Sequence, residues 1–270
     1  TMSTLLLLPR RPAARPTLLM LHASGGSPRP WAPYAQALSA RCTVLTPELL
    51  GYAGTAAWPT GTPAALDAEA EHLAPLLHAQ PVHLFGHSYG GAVALQIALR
   101  WPERVASLTL YEPVRFALLR QAPRAAQAYE DIVGVGRRIG MEVLSGTLHA
   151  AAERFVDYWS GEGAWRELGD GARDAIAMRM PKVQAEFEAL FADRVPAAAY
   201  RALTMPVHLL GGSRSPLPAR QVGARLAELL PNAGGLTLTG LGHLAPLTHP
   251  QRVLAALPDW LQPPALKAAA

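Results

Sequence analysis

The stretch Gly86-His87-Ser88-Tyr89-Gly90 narrows what this chain can fold into more than any other. An apolar run at 81–85 leads into it, and a helical stretch at 92–99 follows. That order predicts a strand, a tight turn and a helix, with Ser88 at the turn. Gly86 and Gly90 supply the small neighbours that such a turn needs. Ser88 Oγ would then project from the end of a strand, with the N-terminus of the next helix behind it. A helix end in that place stabilises developing negative charge.

Around this turn, short apolar runs alternate with helical stretches. Strands are expected at 5–8, 17–21, 42–46, 82–85 and 105–110, and helices at 31–40, 63–79 and 90–100. Thr62 would cap the helix at 63–79, with Pro63 at its first position. From 113 to about 202 the sequence is helical in character, with breaks expected at 134–140, 161–163 and 169–171. Alternation then resumes, with strands at 206–210 and 235–239 and helices at 218–230 and 250–261. The pattern predicts an α/β protein with a mostly parallel sheet flanked by helices. Residues 1–112 and 203–270 would form the core, and 113–202 a helical cap on the carboxyl edge of the sheet. That edge is where open α/β sheets bind ligands.

Half of the 270 residues are apolar, ample for a sizeable core. The net charge of +4 comes almost entirely from scattered arginines, with Lys182 and Lys267 the two lysines. A solvated surface fits that scatter better than a nucleic-acid groove, so no nucleic-acid partner is expected. The lone Cys42 sits in an apolar run and has no internal partner, so nothing calls for an oxidising compartment. No run is long enough for a membrane span. The cytoplasm is the simplest compartment, and a homo-oligomer stays open. No H-E-x-x-H, Cys/His cluster or phosphate-binding loop appears, so no metal and no cofactor are expected.

A serine hydroxyl is a weak nucleophile until a base takes its proton and a third group orients the base. His243, in the loop Gly240-Leu241-Gly242-His243 between the last strand and the last helix, opens at the same edge as Ser88. It is the expected base; without the serine turn it would read as a surface loop histidine. His22 ends a strand and is expected to tie down the glycine-rich loop that follows. His87 adjoins the serine but is expected to point away from it. His83 and His208 read as half-buried strand residues, His72 and His78 as helix-face residues, and His249 as a helix cap. His149 lies in the helical segment. Glu48 reads as a structural loop anchor.

The turn at 86–91, the loop His22-Ala23-Ser24-Gly25-Gly26 with Trp31 beyond it, and Gly242-His243 together resemble the α/β-hydrolase family over about 17–261. The resemblance implies a nucleophile–acid–histidine triad and a helical lid, in an esterase-like member. The family usually places its acid as Asp after the strand at 206–210. This chain has Gly211-Gly212-Ser213-Arg214-Ser215-Pro216 there, with no carboxylate. A less common family arrangement puts the acid one strand earlier, which here is Glu112. The alternatives are Glu112 as a loop carboxylate paired with Arg115 or Arg214, Asp193 as the acid, or His243 oriented by Ser213, Ser215 and backbone carbonyls. By resemblance the oxyanion donors are the N–H of Tyr89 and that of Ser24, with Ala23 as the alternate.

The resemblance implies hydrolysis of a carboxylic ester through an acyl-serine. Aromatic residues at 113–202 would give the cleft an apolar wall, so an apolar small-molecule ester is the expected substrate. A carbon–carbon bond hydrolase, lactonase, perhydrolase or acyltransferase would carry the same residues. A non-catalytic ligand-binding scaffold is the alternative outside enzymes.

Overall fold

The central strands are buried on both faces. In the computed structural model, which describes residues 15–56, 65–77 and 80–261, β1 (Thr17–Leu21) sends Leu19 and Leu21 into one core layer and Leu18 and Met20 into the other. All four are fully buried. Strands buried on both faces belong to a parallel sheet covered by helices. Each side chain of this size stabilises the fold by about 1.5–3 kcal/mol when fully buried.

Among the described residues the sheet has six strands, all parallel. They are β1, β2 (Thr43–Leu45), β3 (Val82–His87), β4 (Val105–Tyr111), β5 (Val207–Gly212) and β6 (Ala233–Leu238), in the spatial order β2-β1-β3-β4-β5-β6. Helix α1 (Ala32–Leu38) covers the face that carries Phe85. Helices α2 (Leu66–Leu73) and α3 (Tyr89–Arg100) cover the other. Helix α3 is buried from Tyr89 to Ala98, and its small residues let it lie close on β3.

Residues 113–202 contain helices and no strand: α4 (Ala117–Arg120), α5 (Ala126–Leu144), α6 (Leu148–Ser160), α7 (Asp170–Ala177), α8 (Met180–Ala192) and α9 (Ala197–Tyr200). The chain closes with α10 (Leu217–Leu229), α11 (Ala245–Thr248) and α12 (Pro250–Ala255). No helix among the described residues is long and apolar enough to cross a membrane.

Two expectations fail here. The glycines at 134–140 do not interrupt a helix, because α5 runs through them. Gly136 is used for packing instead: a Cβ there would lie 2.7 Å from Phe191 Cε2. His249 stands at the N-cap of α12, but its ring makes no capping hydrogen bond and meets Thr248 Oγ1 instead. On the insertion, Met141 and Met178 are exposed. The expected strand at 5–8, the Thr62 cap with Pro63, and His78 lie outside the described residues.

Candidate active site

Ser88 occupies the turn between β3 and α3 with φ 55° and ψ −118°. A non-glycine residue at positive φ is strained, by about 1–3 kcal/mol. The turn survives because its neighbours lack side chains. A Cβ on Gly86 would lie 2.5 Å from Gly90 O, and one on Gly90 would lie 2.3 Å from Leu21 O. Gly91 is equally constrained, its Cβ position lying 2.9 Å from Pro113 Cβ. Ser88 N–H donates to Tyr111 O at 3.0 Å, which ties the turn to the end of β4.

Three side chains from distant parts of the chain meet at that strand end. Ser88 Oγ lies 2.9 Å from His243 Nε2, and His243 Nδ1 lies 2.6 Å from Glu112 Oε2. A carboxylate only accepts, so Nδ1 carries the ring proton and Nε2 is left to accept from the Ser88 hydroxyl. Glu112 Oε1 accepts a second bond from Gly212 N–H at 2.6 Å. Glu112 and His243 are each 2 % exposed. A buried carboxylate is tolerated where hydrogen bonds satisfy its lone pairs, as those from His243 and Gly212 do here.

Glu112 reaches this place across the gap between β4 and β5. It sits just past β4 at φ 47°. Gly211 leaves room for its carboxylate, since a Cβ there would lie 3.1 Å from Glu112 Oε1. The glycines found where a carboxylate was missing thus make the space through which Glu112 crosses. Three of the alternative partners, Arg115, Asp193 and Ser213, are occupied elsewhere. Arg115 is fully buried and pairs with Asp193 at 2.8 Å, and it donates to Gln96 Oε1. Ser213 Oγ accepts from Gly240 N–H.

Two supports of the His243 loop escaped the sequence reading. His87 Nε2–H donates to the His243 carbonyl at 2.8 Å, and the Tyr111 hydroxyl donates to Gly242 O at 2.8 Å. Burial holds His87 well below the ordinary histidine range. A third contact also went unread: the Trp159 ring, from the insertion, stacks on His243 with centroids 4.1 Å apart. Only alternation in β3 and β4 hinted at the first two, since His87 and Phe85 share a face.

The loop after β1 closes the other side. His22 Nδ1–H donates to Ala23 O, and its Nε2 accepts from Leu49 N–H. An acceptor nitrogen requires a neutral ring, and burial pushes the His22 pKa down to about 4. Glu48 lies 3.4 Å from His22 Nε2, and its carbonyl accepts from the His72 ring at 3.1 Å. Gly25 N–H donates to the Tyr52 hydroxyl at 2.7 Å, and Tyr52 donates on to Glu186 Oε1 at 2.8 Å. Lys182 Nζ lies 2.9 Å from both Glu186 and Glu69. Burial outweighs the lysine and raises the Glu186 pKa above the usual carboxylate range. Arg179 Nη1 donates to Gly25 O at 2.8 Å.

Of the expected oxyanion donors, Ser24 lines the same cavity as Ser88, and Tyr89 follows Ser88 in the chain. Tyr89 is the first residue of α3, so its N–H has no acceptor within the helix. Ser24, Ser88 and His243 share a cavity of about 220 Å³. Trp31, Phe155, Trp159, Ile176 and Leu247 make much of its apolar wall. Among the described residues no group of three or more His, Cys, Asp or Glu is placed to hold a metal ion.

A family model described as the alpha/beta hydrolase family matches residues 18–256. The chain belongs to the alpha/beta hydrolase family. It is 29% identical over 257 residues to a pimeloyl-[acyl-carrier protein] methyl ester esterase of Aromatoleum aromaticum, covering 91% of this chain and 98% of that one. Among solved structures it is similar to a thermophilic esterase from Thermogutta terrifontis, with a TM-score of 0.71, 22% identity, and 92% and 90% of the two chains covered. An enol-lactonase from Burkholderia xenovorans superposes with a TM-score of 0.70 at 17% identity over 92% and 91% of the two chains. The chain is thus a hydrolase of this family with esterase-like relatives.

Proposed function

We propose that this protein hydrolyses carboxylic esters through an acyl-enzyme on Ser88. The observation that carries the reading is the unbroken chain from Ser88 Oγ through His243 to Glu112, at 2.9 and 2.6 Å. His243 Nε2 takes the Ser88 proton as Oγ attacks the ester carbon. Glu112 steadies the imidazolium and keeps the proton on Nδ1. The carbonyl oxygen becomes an oxyanion held by the N–H groups of Tyr89 and Ser24. Collapse expels the alcohol, which leaves with the proton from Nε2. Water then attacks the acyl-serine, with His243 again as base, and Ser88 is restored as the acid departs.

Residues 113–202 serve as the cap in this reading, with Phe155 and Trp159 reaching over Ser88 and His243. The substrate is a small apolar ester, because the described residues of the cavity wall include no Lys, Arg, Asp or Glu. Esterase-named relatives support an ester substrate, and the strained Ser88 supports catalysis over mere ligand binding, since a binding scaffold has no need of the strain. Ser88→Ala should abolish turnover of p-nitrophenyl acetate, and a fluorophosphonate should label the wild-type chain but not the variant. Full activity in Ser88→Ala would end the proposal.

A further inference from the structure

Two spaces of very different size meet at Ser88. The larger is the cavity of about 220 Å³, and His243 forms part of its wall. The smaller is a recess of about 10 Å³ bounded by Val114, Phe116, Phe187 and Leu190, and His243 does not border it. Ser24, Phe155 and Trp159 border both. The recess is thus about a twentieth of the cavity, with room for a short group only.

The wall of the recess is stiff. Phe116 and Phe187 lie nearly parallel with centroids 6.5 Å apart, and Phe191 packs on them at 6.1 and 5.8 Å. Phe191 is held in turn by α5, where Gly136 lets the ring approach. An interior packed from several sides resists expansion, so a longer group must displace a ring.

The tetrahedral intermediate decides which half of an ester enters which space. Its carbon carries Ser88 Oγ, the oxyanion, the leaving oxygen and the acyl substituent. The oxyanion turns to the Ser24 and Tyr89 N–H groups. The leaving oxygen faces His243 Nε2, from which it takes its proton. The acyl substituent takes the remaining direction, away from His243, and the recess is the space at Ser88 that His243 does not border.

We propose that the protein is selective for esters of a very short acid, acetyl above all, whose bulky apolar alcohol or phenol fills the larger cavity. Phe187, Phe116 and Leu190 set the acyl limit. This inference rests on Ser88, His243 and the two N–H donors acting as proposed above. No step is added to that reaction; only the orientation and size of its substrate are fixed.

The test compares kcat/KM of the full chain for p-nitrophenyl acetate, butyrate and octanoate, and for 1-naphthyl acetate against methyl octanoate. Acetate should exceed butyrate by about tenfold or more and octanoate by about a hundredfold, and 1-naphthyl acetate should exceed methyl octanoate. Phe187→Ala should raise the butyrate-to-acetate ratio about tenfold. Leu190→Ala serves the same purpose if the first variant does not fold. A wild-type profile that rises with acyl length, faster turnover of methyl octanoate, or ratios unmoved in both variants would overturn the proposal. If those results come with activity that Ser88→Ala abolishes, the pocket assignment falls alone. Activity that survives Ser88→Ala removes the reaction beneath it as well.

Discussion

Ser88 and Glu112 are the two non-glycine residues at positive φ among the described residues, at 55° and 47°. They end adjacent strands, and both side chains point into one hydrogen-bonded chain through His243. Strain at two such positions persists only where surrounding contacts over-determine them. Here the contacts are Ser88 N–H to Tyr111 O and Glu112 N–H to Leu210 O at 2.9 Å. In Glu112→Gln the amide carries no charge to steady an imidazolium. Its N–H₂ also competes to face His243 and can impose the wrong tautomer. The expected loss in kcat is about 10³–10⁴-fold, with KM little changed, read from ester turnover. A loss of less than about tenfold would count against Glu112 as the acid.

At the scale of elements, α8 is where the insertion grips the core. Its Lys182 sits between Glu186, one turn on, and Glu69 from α2. Glu69 also accepts from Leu50 N–H and from the Tyr89 hydroxyl. The same helix reaches the loop after β1 through Arg179, and through Glu186 and Tyr52. The shape of that loop is thus fixed by the insertion as much as by its own glycines. Lys182→Met keeps the length of the stem but leaves two buried carboxylates without their cation. Removing one partner of a buried ionic cluster costs about 3–5 kcal/mol. Denaturant unfolding should show a loss of that order, and no change in midpoint would refute the account. The Lys182 and Glu186 spacing was visible in the sequence, one helical turn apart. Glu69, far away along the chain, was not, because nothing local to α8 names its partner.

For the molecule as a whole, pH acts on stability through its buried histidines. His22 is held at about 4 against an ordinary 6.5, because burial penalises the charged ring. The unfolded chain therefore binds a proton that the folded one refuses between those values. The contribution of His22 is complete above pH 6.5 and is lost as pH falls towards 4. At about 1.4 kcal/mol per tenfold in proton affinity, it amounts to about 3 kcal/mol. His87 works in the same direction, while Glu186 and Glu48, raised by burial, work against it. The His22→Gln variant isolates the effect. Its stability deficit against wild type should shrink by about 3 kcal/mol between pH 7 and pH 4. A deficit that is constant with pH would show that His22 is not held neutral by the fold.

The α/β alternation, the serine turn and the helical character of 113–202 could all be read along the chain, because they depend on near neighbours. The period of apolar residues sets strand or helix, and steric crowding allows only glycine two residues to either side of Ser88. Gly136 shows the limit of that reasoning: a glycine that looks like a helix break locally is a seat for Phe191 once α8 lies across α5. The sequence and its family resemblance offered Glu112, Asp193 or no carboxylate at all as partners for His243. Only the tertiary structure separated them, by spending Asp193 on the buried Arg115 and opening the space above Gly211 for Glu112. The same holds for the unequal spaces beside Ser88. Their volumes come from rings on α6, α8 and the segment after β4, brought together by packing that no stretch of sequence contains.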